Sequence, residues 1–172
     1  NALYAIEDRA LLGMTEQGQV RIDITNLTNP ETFRVEISDN GIGLDADRYE
    51  AFQTIDTDFK RTRGGKGVGR LFWLDAFERV KVESMFMESG SVKRRCFTFT
   101  LNNDEQILEE DLPDGYVGRR DLGTTVICEG LRGTSYQKAF PKQKAAFLRY
   151  FSAHFIADFL VGNGARVQVI LD

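Results

Sequence analysis

Two glycine-bearing segments and one hydroxyl-bearing strand start hold the residues whose types and spacing suit chemistry. In Asp39-Asn40-Gly41-Ile42-Gly43, Asp39 shares strand parity with Phe33, Val35 and Ile37, so it continues an apolar, inward face. A carboxylate at the end of such a face is costly unless a donor meets it. Gly41 and Gly43 permit tight turning and close backbone approach by a ligand, which suits the amino group of a planar base. The same residues fit an Asp-led turn in which the side chain caps its own backbone. A calcium loop is disfavoured, because the D-x-[DN]-x-[DN]-G spacing is missing. In Arg63-Gly64-Gly65-Lys66-Gly67-Val68-Gly69-Arg70, glycines run into an apolar helix, where exposed amides and the helix dipole favour an anion. Lys66, with Arg63 and Arg70, adds charge for phosphate oxygens. Lys66 precedes Gly67 rather than Ser or Thr, so this is no Walker loop, and no apolar strand leads into it as a dinucleotide fingerprint requires. The third piece, Gly123-Thr124-Thr125, opens an apolar strand and is weak by itself.

The elements that must position these residues follow from periodicity. Leu3, Ile6 and Ala10 predict an amphipathic helix over 1–12 that Gly13 can end. Alternation predicts strands at 20–24 and 33–37 with a turn at Asn29-Pro30, then a helical connection over 45–56. Leu71, Phe72, Leu74, Ala76 and Phe77 predict a compact helix, followed by strands at 79–87 and 94–101 around Ser89-Gly90. The acidic run from Asp104 to Asp114 reads as a solvated loop, with a strand at 124–129 beyond it. After Pro141, Phe147, Phe151, Phe155 and Phe159 predict a helix with an apolar packing stripe, and 166–171 a last strand. Strands and helices without regular βαβ alternation predict an α+β, two-layer sandwich.

At 172 residues the chain suits one domain, and a net charge of −4 offers nucleic acid no overall attraction. No apolar run reaches the ~18 residues of a membrane helix and no signal peptide is visible, so a cytoplasmic setting is expected. Cys96 and Cys128 lack C-x-x-C spacing and read as buried structural thiols. His154, the one histidine, makes a histidine-based metal site implausible. The sequence opens on what reads as the middle of a helix, so a domain truncated at its N-terminus is expected.

Helical Asn1-Ala2, Asp39-Asn40-Gly41-Ile42-Gly43, Gly65-Lys66-Gly67-Val68-Gly69-Arg70 and Gly123-Thr124-Thr125 resemble, in order and spacing, the motifs of the GHKL ATPases. That superfamily comprises DNA gyrase, the heat-shock chaperone, histidine kinases and MutL. The resemblance spans at least residues 1–129 and is nearest to bacterial chaperone-like ATP-binding proteins. It implies a Bergerat fold, a mixed, mostly antiparallel sheet with helices on one face, and it implies ATP and Mg²⁺ as cofactors. By position, Asn1 would ligate Mg²⁺ and Asp39 would accept the adenine amino hydrogen. Gly41 and Gly43 would lie near the base, supported by the Thr124 hydroxyl. Gly67, Val68, Gly69 and Arg70 would present amides to the phosphates, with Lys66 as charge partner. The family's water-activating glutamate stands four residues before the asparagine, ahead of Asn1, and Glu7 cannot replace it. Tyr4 stands where many relatives carry an acidic residue. Binding is therefore better founded than hydrolysis. The implied partners are ATP or ADP, other domains of a parent protein and a second copy of the chain. A histidine-kinase catalytic domain, a non-turnover nucleotide sensor and a DNA-stimulated topoisomerase or repair ATPase stay open as alternatives.

Overall fold

A computed structural model describes residues 2–13, 16–54, 69–100, 107–110, 121–139, 141–161 and 166–171. Helix α1 (Ala2–Leu11) leads into strands β1 (Gln19–Thr25) and β2 (Arg34–Asp39), then helices α2 (Ala46–Gln53) and α3 (Gly69–Ala76). Strands β3 (Phe77–Glu88), β4 (Ser91–Phe99), β5 (Ile107–Glu109) and β6 (Gly123–Leu131) follow. Helices α4 (Gly133–Ala139) and α5 (Lys144–Val161) then precede β7 (Arg166–Leu171).

The strands form one seven-stranded sheet in the order β5-β4-β3-β6-β2-β1-β7. Five neighbouring pairs are antiparallel, and β7 runs parallel to β1 at the far edge. The fold is therefore the α+β layered architecture that the motif pattern implies. Alternation decides which face meets the helices. Val20, Ile22 and Ile24 of β1 pack with Ile6 of α1 and with Phe147 and Phe151 of α5. Val80 and Val82 of β3, Phe97 and Phe99 of β4, and Cys128 of β6 pack with Tyr49 of α2 and Leu74 of α3. Val35 of β2 touches both groups, so the two halves of the core meet at the strand that ends in Asp39.

The other face carries ladders of opposite charge. Across β2, β6 and β3, Arg34 and Arg79 both pair with Glu129. Across β3 and β4, Arg94 and Lys81 pair with Glu83, and Lys81 also reaches Glu110 at 2.9 Å.

Three local features differ from the sequence expectation. Ile107–Glu109 forms an edge strand inside the acidic run, because its register with Phe97, Thr98 and Phe99 supplies ladder bonds that a polar run does not advertise. Phe77 opens β3 rather than closing α3, and pairs with Leu131. A short polar helix, α4, stands between β6 and Pro141, where weak periodicity gave no signal. The hairpin turn falls at Ser89 and Gly90, both with positive φ.

Candidate functional site

Asp39 sits at the end of β2, buried to 8% exposure and on the helix-covered face. Its Oδ1 accepts from the backbone N–H of Gly41 at 2.9 Å and of Thr124, across on β6, at 3.3 Å. The Asp-led turn and the buried inward carboxylate are thus one structure. The local bond satisfies part of the carboxylate, and the bond to β6 ties it to a second strand.

The glycines that follow meet the protein's own backbone. A Cβ on Gly41 would stand 2.6 Å from the Ala5 Cβ of α1. At Gly43, with φ +81, it would stand 2.2 Å from the Met85 carbonyl oxygen of β3. The close approach read from the sequence is therefore made first by α1 and β3, which lets the loop sink between them.

Asn40, Gly41, Ile42 and Leu44 of that loop are each bonded to a neighbouring element or turn. Asn40 N–H donates to the Gln19 carbonyl, and its side chain bridges Gln19 N–H and the Gln17 carbonyl. Ile42 N–H donates to the Ala5 carbonyl at 3.0 Å. Arg9 of α1 donates to the Asn40 carbonyl. Leu44 is held at both ends: its N–H donates to Ser84 Oγ at 2.7 Å, and its carbonyl accepts from Arg95 at 2.5 Å. The Arg95 guanidinium also reaches the Asp45 carbonyl at 3.2 Å and lies 3.9 Å over the Tyr49 ring and 4.8 Å over the Phe86 ring. Asp45 caps α2 by accepting from Arg48 N–H, and the Arg48 guanidinium joins Asp45 to Asp8 of α1. Burial opposes the charge on Arg48, but the two carboxylates outweigh it and raise its pKa. Burial, then the neighbouring Glu109, pushes Tyr49 up to about 12, so at neutral pH its hydroxyl donates to Glu109.

Ser84 and Thr124 are ladder partners on β3 and β6, beside the Asp39 carboxylate. The Ser84 hydroxyl, fully buried, contacts the Gly123 carbonyl and the Thr124 hydroxyl at 3.1 Å each. On the opposite face, Ser38 and Thr125 share a hydroxyl contact of 3.0 Å.

The structure thus brings Asp39, Gly41, Gly43 and Thr124 into one neighbourhood. Gly69 and Arg70 form the first residues of α3, as the glycine-into-helix reading expects. Asn1, Lys66, Gly67 and Val68 lie outside the described residues, as do Arg63 and the His154 side chain. Among the described residues no cluster of His, Cys, Asp and Glu could hold a metal ion, and no helix is long and apolar enough to cross a membrane. Sequence reasoning passed over Ser84, which interrupts the apolar series Val80, Val82, Phe86, and Arg95, which stands two positions before Phe97 and Phe99 with the same parity. A polar residue with core parity was the available signal. Arg9 and Arg48 left none, since a helix-surface arginine is ordinary.

Sheet order, a helix-covered face and a buried acidic residue at the end of an inner strand define an α+β sandwich with a polar site at one strand end. The family described as histidine kinase-, DNA gyrase B-, and HSP90-like ATPase matches residues 1–105. The chain belongs to that family, the GHKL superfamily of ATP-binding domains. Among solved structures, the Aquifex aeolicus MutL ATPase domain complexed with ADP is similar in fold, with a TM-score of 0.50 at 16% identity. The match covers 96% of this chain and 55% of that one, so the chain spans just over half of the MutL structure. Comparison with curated proteins returns no match.

Proposed function

We propose that this chain binds Mg²⁺-ATP with Asp39 as the acceptor for the adenine amino group. The observation that carries the proposal is the buried Asp39 carboxylate, oriented by two backbone donors and adjacent to Thr124. A carboxylate so held accepts without reorganising, and the amino group of adenine supplies the donor it favours. Gly41 and Gly43 set the backbone beside the base, and the Thr124 hydroxyl supports it from β6. The amides of Gly67, Val68, Gly69 and Arg70, with Lys66, hold the phosphates at the start of α3. Asn1, the residue before α1 in the sequence, would ligate the Mg²⁺ that neutralises them.

Hydrolysis in the parent protein would use a glutamate one turn before Asn1 to activate water. ATP binding would close a lid, with the γ-phosphate contacting residues 64–70, and shift association with other domains or a second copy. Two buried free thiols suit a reducing, cytoplasmic setting. A chaperone-like bacterial role accords with the motif resemblance.

Asp39→Asn tests the base assignment. The amide keeps an oxygen for Gly41 and Thr124 but can turn a donor toward the base, so the fold survives while binding fails. Losing a charge-assisted bond of roughly 1.5–3 kcal/mol weakens affinity about 10- to 150-fold. Calorimetry with Mg²⁺-ATP reads this, and unchanged affinity rejects the assignment. Gly67→Val should weaken triphosphate binding more than adenosine binding; equal losses would point to folding instead. Steady-state ADP release separates an ATPase from a sensing module, which binds without turnover.

A further inference from the structure

We propose that Ser84 is a positioning residue for base selectivity, acting through Thr124; this rests on the adenine-site reading above. The number of hydrogens at Ser84 fixes the direction of each of its bonds. A serine hydroxyl has one hydrogen and two lone pairs. At Ser84, the Leu44 N–H takes one lone pair at 2.7 Å. The Gly123 carbonyl, 3.1 Å away, can only accept, so it takes the Ser84 hydrogen. If that hydrogen turned elsewhere, two bare oxygens would face each other at that distance. The second Ser84 lone pair therefore receives the Thr124 hydrogen across the remaining 3.1 Å contact. With Ser84 fully buried, there is no access for solvent to supply a substitute partner.

The consequence falls on Thr124, which is partly exposed and whose own backbone N–H binds the Asp39 carboxylate. With its hydrogen committed to Ser84, its oxygen is only an acceptor toward anything beside Asp39. A base edge, or a water carried with it, then meets two acceptors together. Adenine, with an exocyclic amino group, satisfies that pair. Hypoxanthine turns a carbonyl oxygen toward it and is repelled, so the hydrogen-bond direction at Ser84 becomes selectivity at the base. The same hydroxyl fixes Leu44, the residue after Gly43, and so holds the glycine loop in register with Thr124.

The test compares Mg²⁺-ATP with Mg²⁺-inosine triphosphate by calorimetry on the wild-type chain and on Ser84→Ala, Ser84→Cys and Thr124→Val. The wild type should prefer ATP by at least about tenfold. Ser84→Ala frees the Thr124 hydroxyl to rotate and donate, so the preference should fall severalfold through tighter inosine triphosphate binding. Ser84→Cys, a weak donor of similar shape, should restore part of it. Thr124→Val should also reduce the preference, and adding Ser84→Ala to it should reduce it no further. If Ser84→Ala leaves the ratio unchanged, or lowers both affinities equally, the proposal is overturned and Ser84 is merely structural. Should Ser84→Ala fail to fold, Ser84→Cys decides: a preference below the wild-type value supports the proposal, and an unchanged one overturns it. A wild type without preference, together with Asp39→Asn that binds ATP normally, rejects the adenine site itself rather than the role of Ser84.

Discussion

Asp39 closes a local turn and faces a second strand with the same oxygen, so its position is over-determined before any ligand arrives. Gly43 is as tightly specified, by sterics alone. Gly43→Ala would need a left-handed backbone and would drive its Cβ into the Met85 carbonyl. We expect a loss of at least about 1 kcal/mol, read from urea denaturation, with the loop displaced. The cysteines make a different residue-scale prediction. Burial first pushes Cys96 up to about 11 and Cys128 up to about 12, and nearby carboxylates add to it. Both thiols should therefore resist iodoacetamide at neutral pH in the native protein and react fully in denaturant. They cannot form a disulfide with each other. Cys96 is registered opposite Glu83 on one sheet face, and Cys128 opposite Val80 on the other.

Among elements, α1 is bound to the site by polar contacts as much as by its apolar stripe. Ile6 enters the core, while Ala5, Arg9 and Asp8 engage Ile42, Asn40 and Arg48 respectively. The helix that begins beside Asn1 is thus locked to the loop that begins at Asp39. Arg48→Ala leaves Asp8 and Asp45, both only partly exposed, without their shared cation. It should cost about 1–3 kcal/mol in urea denaturation, and amide exchange should quicken in α1 and α2 ahead of the central strands. Arg95 performs the matching task from β4, stacking on Tyr49 and Phe86 while it binds the Leu44 carbonyl. Lysine has the charge but not the flat stacking surface, so it is no equivalent there.

For the whole molecule, one face of the sheet is packed and the other is held by charge. Burial favours protonated Glu110 and Glu129, yet hydrogen bonds and ion pairs outweigh it, and both pKa values fall below the usual 4.5. The sign is that of a depressed acid: the stabilisation is full above 4.5 and drains away as pH falls through the lower folded values. An acid titration of thermal stability should show a fall starting near that pH. Glu129→Gln should make the fall shallower, because Arg34 and Arg79 then face an uncharged group at every pH.

The sequence by itself determined the class of the fold, the inward carboxylate and the ordered motifs that mark the family. Those are local facts: strand parity delivers Asp39 to the buried face, and glycine is the residue that tolerates Gly43's backbone. The edge strand β5 was not legible, because three residues in an acidic run become a strand only when β4 offers its edge. Nor were the roles of Ser84 and Arg95, although the break that Ser84 makes in an apolar strand was visible. What Ser84 bonds depends on β6 and on Leu44, each 40 positions away along the chain. The direction of a hydroxyl hydrogen is set by which acceptors and donors surround it, and only tertiary structure assembles that set.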